Sequence, residues 1–322
     1  IKLTKIVVSR QIPNQFIRQL EQLGEVIMWE ESYEPMPRER FLQELKDATA
    51  CFITLSERID QEVFEAAPHL QVIANMAVGY DNIDLDLARQ YGVTITNTPD
   101  VLTETTAELG LTLLLTVARR VVEAEHYVQN GEWQSWGPYL LAGKDLHGST
   151  VGIFGMGAIG KAFARRLQGF NTTVLYHNRS RHEDAETELN AQYVDLDTLL
   201  QESDFVVCTA PLTDATRDQF NATAFSKMKN DAVFINIGRG AIVDEEALVK
   251  ALKDGEIGGC GLDVLCQEPI NMDHPILELP QAVVLPHIGS ASEQTRNDMI
   301  QLCVDNIRGV LTEGRAVTEV RS

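Results

Sequence analysis

One segment limits the folds open to this chain more than any other: Thr150-Val-Gly-Ile-Phe-Gly155-Met-Gly157-Ala-Ile-Gly160-Lys-Ala-Phe-Ala-Arg-Arg-Leu. A G-x-G-x-x-G spacing alone says little, because glycine is common. Here the triplet follows an apolar strand directly and leads into an amphipathic helix, the context that gives it meaning. Gly155 permits a tight turn, Gly157 lets backbone amides approach a pyrophosphate, and Gly160 allows the helix to pack close to the strand. The helix N-terminus favours negative charge. The segment predicts a parallel sheet and a bound dinucleotide.

The end of the following strand bears on which dinucleotide. An NAD enzyme normally places a carboxylate about 20 residues on, for the ribose hydroxyls. This chain has Leu175-Tyr-His-Asn178-Arg179-Ser180-Arg181 there, with no carboxylate. Asn178 is neutral, and Arg179, Ser180 and Arg181 can together hold a 2′-phosphate through charge-assisted hydrogen bonds. NADPH is therefore the preferred cofactor, with NADH possible. The plainer reading is a solvated basic turn with relaxed cofactor choice.

The rest of the chain alternates in the same way. Apolar runs at 5–9, 26–29, 51–55, 72–78 and 93–96 are separated by helical patterns such as 15–23 and 38–46, which implies a sheet covered by helices. After Thr98-Pro99-Asp100 comes one long helical pattern, roughly 105–130, opened by the capping-box spacing Thr105-x-x-Glu108 and closed by Gly131. A second series places strands at 150–154, 173–177, 205–210, 232–237, 259–264 and 282–286. One last helix is expected from 290 to about 313, again with a capping-box spacing, Ser290-x-x-Glu293.

With 322 residues, two domains are expected. The formal charge of −20, from 27 basic and 47 acidic residues, argues against nucleic acid or an anionic membrane as a partner. There is no run of about 18 apolar residues and no signal-peptide pattern, so a cytoplasmic location is the default. The cysteines, Cys51, Cys208, Cys260, Cys266 and Cys303, form no CxxC pair and are expected to be reduced and mostly buried. No metal site is expected.

Three later segments carry the chemistry: Phe234-Ile-Asn236-Ile-Gly238-Arg239-Gly240, Gly261-Leu-Asp263-Val-Leu-Cys-Gln-Glu268-Pro269 and Val283-Val-Leu-Pro286-His287-Ile-Gly289-Ser290. Their polar residues lie at or just beyond strand ends, the edge that lines the ligand crevice of an open parallel sheet. Reducing a 2-keto acid requires a bidentate cation for the carboxylate, which suits Arg239. It requires a proton donor, which suits His287. A carboxylate beside that histidine stabilises imidazolium, which suits Glu268. Taken singly, each residue has an ordinary structural explanation; the set of three does not.

Together these motifs resemble, in order and spacing, the D-isomer-specific 2-hydroxyacid dehydrogenase family, and most nearly its glyoxylate/hydroxypyruvate reductases. Asn75-Met-Ala-Val78-Gly79-Tyr-Asp-Asn-Ile-Asp84 is similar to their substrate loop, and Thr98-Pro-Asp-Val-Leu-Thr-Glu-Thr-Thr-Ala-Glu108 to their inter-domain helix entry. The resemblance runs from about residue 50 to 310.

The resemblance implies two doubly wound parallel-sheet α/β domains. A Rossmann nucleotide domain, 99–290, would be inserted into a flavodoxin-like substrate (catalytic) domain made of 1–98 plus 291–322, with a cleft and a hinge between them. It implies that the Val78 and Gly79 amides hold the substrate carboxylate with Arg239, and that Gly289 lies at the substrate. His287 would be the acid–base and Glu268 its partner. Asp263 would lie near the nicotinamide amide, Gly157, Ala158 and Ile159 near the pyrophosphate, and Pro211 and Ile237 along the cofactor. Formate dehydrogenases of the family have glutamine in place of Glu268, so formate is not the expected substrate. The family also implies a homodimer built on the nucleotide domain, with the 133–141 loop reaching towards the partner; some relatives have tryptophan where Leu140 aligns. Alternatives are reduction of a larger keto acid such as 2-ketogluconate, an NAD(H)-sensing corepressor, and a ligand-binding module with a vestigial site.

Overall fold

The computed structural model describes residues 3–321. The chain divides into two compact units, Ile1–Leu102 with Ser292–Ser322, and Thr103–Ala291. Each is built on a wholly parallel sheet.

In the first unit, β1 (Lys5–Val8), β2 (Glu25–Met28), β3 (Ala50–Ile53), β4 (Val72–Asn75) and β5 (Thr94–Thr96) form a sheet of order β2-β1-β3-β4-β5. Its covering helices are α1 (Asn14–Glu21), α2 (Arg38–Glu44), α3 (Gln61–Ala66), α4 (Leu85–Gln90) and α12 (Glu293–Glu313). Strands of this kind are apolar on both faces, because helices cover both. Ile6 and Val8 pack with α1 and α12, whereas Val7 packs with Phe41 of α2 and Phe64 of α3. The last helix docks through Ile300, Cys303, Val304 and Ile307, a single stripe at helical spacing.

The second unit opens with two helices, α5 (Thr103–Ala118) and α6 (Val121–Gln129). Its strands are β6 (Thr150–Phe154), β7 (Thr173–His177), β8 (Gln192–Tyr193), β9 (Phe205–Cys208), β10 (Val233–Asn236), β11 (Gly259–Leu262) and β12 (Ala282–Val284). The connecting helices are α7 (Ala158–Leu167), α8 (Glu183–Leu189), α9 (Leu196–Glu202), α10 (Ala222–Lys227) and α11 (Glu245–Lys253). The order β12-β11-β10-β9-β6-β7-β8 reverses direction at β9 and β6, the topological switch point where doubly wound sheets bind ligands. Among the described residues no helix is long and apolar enough to cross a membrane.

Three local expectations are corrected. The single helix expected over 105–130 is two, because Arg120 adopts a left-handed conformation (φ 54°) and pairs with Glu123 at 2.8 Å. The first of these begins at Thr103, so the Thr105–Glu108 spacing lies inside it. At the other end of the chain the cap is Ser292, which accepts from the Thr295 N–H at 3.1 Å, and not Ser290. The short strand β8 has no counterpart in the sequence reading, since two residues show no period. The five cysteines are free; four are buried and Cys266 is exposed.

Asp204 ties the entry of β9 to its neighbours. Its carboxylate accepts from the Thr150 N–H (2.8 Å) and from Lys229 Nζ (3.0 Å). Burial alone would raise this carboxyl, but the Thr150 N–H and the Lys229 charge outweigh it and hold it below its ordinary value. A depressed carboxylate stabilises the fold above its unfolded-state value and loses that contribution as pH falls through the folded-state value. Asp204→Asn is therefore expected to cost about 1 kcal/mol at pH 7. In thermal melts from pH 7 down to 3, the gap to the wild type should close; a gap independent of pH would contradict the assignment.

Candidate active site

Parallel register brings the relevant loops to one edge. His177, Phe154, Cys208, Asn236, Leu262 and Val284 are successive cross-strand partners, so six strands end in one row. The glycine loop, Pro211, the Arg239 turn, the Asp263–Glu268 segment and His287 all follow members of that row. At about 4.8 Å per strand the row spans roughly 24 Å.

The glycine loop shows why each glycine stands where it does. Gly155 has φ 101°, and a Cβ there would lie 2.8 Å from the Ala210 backbone. A Cβ on Gly160 would lie 2.3 Å from Gly155 O, so α7 packs against the turn. Around Gly157 nothing lies within 4 Å of such a Cβ, which leaves its surface open for a ligand. Gly157 caps α7, and the first N–H groups of a helix lack intrahelical acceptors. Thr209 Oγ1 donates to Gly155 O at 2.6 Å and holds the loop. These features fit a pyrophosphate.

The candidate 2′-phosphate residues do not act alike. Asn178 Oδ1 accepts from the Met156 N–H at 3.1 Å, which ties the glycine loop to the end of β7. Arg181 is engaged with Glu186 at 2.6 Å and lies over the Tyr193 ring. Arg179 and Ser180 are exposed, and among the described residues the Arg179 side chain has no partner. The sequence reading grouped the four; the geometry leaves Arg179 as the available cation.

His287 and Glu268 are brought together: Nδ1 lies 3.1 Å from Glu268 Oε2. Glu268 Oε1 accepts from the Leu265 N–H at 3.2 Å. His287 is held in a left-handed conformation, φ 55°, which costs a non-glycine residue about 1–3 kcal/mol and needs support. Asp263 supplies it. This buried carboxylate accepts from the Ile288 N–H (2.8 Å) and from the Gly289 N–H. A Cβ on Gly289 would press to 3.1 Å of Asp263 Oδ2. Burial pushes the Asp263 carboxyl above its ordinary value, against the pull of those amides and of His287.

Arg239 stands before a 3₁₀ turn, Gly240–Ile242, and its Nη1 donates to Gly238 O at 3.0 Å. The turn is shaped by Asn236, fully buried, whose Nδ2 donates to Arg239 O and whose Oδ1 accepts from the Gly238 N–H, both at 3.0 Å. Ile237, buried, packs against α5 at Gly110. Pro211 O accepts from Thr216 Oγ1 at 2.8 Å. In the first unit, Asn97 Nδ2 donates to Val78 O (2.9 Å) and Asn75 Nδ2 to Gly79 O (3.1 Å). The carbonyls of that loop are thereby fixed, while the Val78 and Gly79 N–H groups have no acceptor among the described residues. Asn236, Asn75 and Asn97 were not among the residues singled out; a lone asparagine ending an apolar strand was the available signal for the first two.

Residues 111–289 match the model of the D-isomer specific 2-hydroxyacid dehydrogenase NAD binding domain. A glyoxylate reductase of Thermococcus onnurineus is 47% identical over 307 residues, covering 94% of this chain and 91% of the relative. The chain belongs to the D-isomer-specific 2-hydroxyacid dehydrogenase family. Members of that family are NAD(P)-dependent dehydrogenases, and this chain is one. A glyoxylate reductase of Aeropyrum pernix is 42% identical, covering 95% of this chain and 92% of its own length. Among crystal structures, that of NADPH-dependent glyoxylate/hydroxypyruvate reductase from Sinorhizobium meliloti with NADP and malonate matches with a TM-score of 0.86 and 35% identity, over 98% of this chain and 96% of that one. A Thermus thermophilus protein matches with a TM-score of 0.91 and 41% identity, over 99% of this chain and all of the other.

Proposed function

We propose that this dehydrogenase reduces the small 2-keto acids glyoxylate and hydroxypyruvate to their 2-hydroxy acids (the D form where the product is chiral), preferring NADPH, with His287 as proton donor. The observation that carries the reading is the His287–Glu268 pair, set on the strand row that also bears the glycine loop and Arg239. Relatives named glyoxylate reductase, alike over nearly the whole chain, support the substrate class.

When bound, the nicotinamide supplies the hydride that the keto carbon receives. Glycine-loop residues Gly155, Gly157, Ala158, Ile159 and Gly160 would hold the pyrophosphate, Arg179 the 2′-phosphate, and Pro211, Ile237 and Asp263 the nicotinamide half. Glu268 accepts a hydrogen bond from Nδ1–H of the His287 imidazolium, which leaves Nε2–H to face the keto oxygen. Donation from Nε2 completes the hydroxyl and leaves a neutral ring that solvent reprotonates. Arg239 anchors the substrate carboxylate through its planar fork. At Gly289 a Cβ would press on Asp263 Oδ2 at 3.1 Å, so glycine suits the turn after His287.

A second copy of the chain is the partner we assign to the second unit. Helix α6 buries none of its residues, and Val128, Trp133, Trp136 and Tyr139 expose large apolar surfaces along it and the segment that follows. A cytoplasmic, reducing setting fits the five free cysteines.

Initial rates with NADPH and with NADH, each against glyoxylate, hydroxypyruvate and 2-ketogluconate, test the reading. The expected result is fastest NADPH oxidation with a two- or three-carbon acid. Arg179→Ala should lower kcat/KM for NADPH about tenfold and leave NADH nearly unchanged. Preference for NADH would overturn the cofactor assignment; no turnover with any of the three acids would overturn the substrate class. Light scattering should give twice the chain mass, and Trp136→Asp should reduce it; a wild-type monomer would contradict the dimer.

A further inference from the structure

A second carboxylate–imidazole pair backs the turn that carries Glu268. Glu245 is the first residue of α11, and His274 caps the short 3₁₀ turn Pro275–Glu278. His274 Nδ1 accepts from the Ile276 N–H at 3.1 Å, so its ring proton sits on Nε2, which faces Glu245 Oε1 at 3.1 Å. The other oxygen of Glu245 accepts from the Cys266 N–H at 2.7 Å. The Glu245 and His274 side chains are only 11% and 20% exposed, so neither readily exchanges its partner for water.

The neighbouring amide points the other way. Leu265 N–H donates to Glu268 Oε1, whose Oε2 faces His287. Two carboxylates thus hold successive amides of one turn. The same turn is fastened to the one that carries Arg239. The Cys266 thiol donates to Gly240 O (3.4 Å) and Val243 O (3.5 Å). A Cβ on Gly240 would fall 2.0 Å from the Leu265 carbonyl, so the two backbones touch. Although the residue as a whole is exposed, the partial burial of its thiol, and next the Glu245 carboxylate, push the Cys266 thiol up to about 12, which keeps it a protonated donor in this contact.

We propose that Glu245, oriented by His274, is a positioning residue for the reduction. It fixes the 265–268 turn so that Glu268 keeps its carboxylate on His287 in step with the Arg239 turn. A carboxylate is needed because two donors, Cys266 N–H and His274 Nε2–H, approach its two oxygens. Glutamine has the same volume but one acceptor, and must aim an NH₂ group at one of those donors. Removing this support loosens the carboxylate that faces His287 Nδ1, while Asp263, the other acidic group that acts on His287, stays in place; the pH dependence of reduction should therefore move as it does for Glu268→Gln. The inference rests on the assignment of His287 as proton donor.

The test is the pH profile of glyoxylate reduction with saturating NADPH for the wild type, Glu268→Gln, Glu245→Gln and His274→Asn. Asparagine at 274 can still accept from the Ile276 N–H but is too short to reach Glu245, which separates capping from positioning. Glu245→Gln is expected to lower kcat about tenfold, less than the hundredfold of a full ångström displacement. KM for glyoxylate should change by less than about twofold, since ground-state binding is untouched. The alkaline limb should move in the same direction as for Glu268→Gln, and His274→Asn should follow with a smaller shift. If Glu268→Gln moves the limb while Glu245→Gln and His274→Asn leave kcat and limb unchanged, the positioning role is overturned and the proton-donor assignment stands. If Glu268→Gln itself leaves the limb in place, the proton-donor assignment fails and the positioning role falls with it. Cofactor affinity by fluorescence checks folding; should Glu245→Gln not fold, His274→Asn decides.

Discussion

Strands that run parallel and end in register deliver every following loop to the same edge. In the second unit that row runs from His177 through Phe154, Cys208, Asn236 and Leu262 to Val284. Residues separated by more than a hundred positions in the chain, from Gly155 to His287, owe their common edge to it. The register depends on strands buried on both faces, where a slip of one residue would exchange the two packed faces. Burial of Val206, Phe234 and Leu262 on one side and of Val207 and Ile235 on the other fixes it.

On that edge the cost of the arrangement is concentrated in a few places. His287 is held at a positive φ, Asp263 is buried with its carboxyl pushed upward, and Gly155 takes a backbone conformation closed to other residues. Neighbours support them: the Asp263 carboxylate and the Ile288 and Gly289 amides hold one another and the His287 turn with them, and Thr209 holds Gly155 O; buried Asn236 does the same for the Arg239 turn. A carboxylate in the core is an expensive way to hold a turn. It is retained where the turn must place an imidazole to within a few tenths of an ångström.

The sequence showed its long-range plan through short-range signals. The glycine spacing after an apolar strand, and three strand-end motifs carrying Arg239, Asp263 with Glu268, and His287, pointed to the strand row and the His287–Glu268 pair. Boundaries set by single side chains were less legible. Arg120 breaks a helix whose periodicity continues across it, because a left-handed residue leaves no trace in hydrophobic pattern. Ser290 and Ser292 both offer a capping hydroxyl, and only packing selects the second. The basic turn after β7 looked uniform, yet Glu186 engages Arg181 and leaves Arg179 exposed. Glu245 and His274 were invisible because their meaning lies in hydrogen bonds between segments 29 residues apart.

Whether His287 delivers the proton while other groups bind the ligands can be measured directly. Single-turnover reduction of glyoxylate by His287→Ala carrying bound NADPH should be slower than in the wild type by about 10²–10⁴, the usual share of a general acid. NADPH affinity, measured on the same sample by fluorescence, should be nearly unchanged. Reduction at close to the wild-type rate with cofactor bound would contradict the claim.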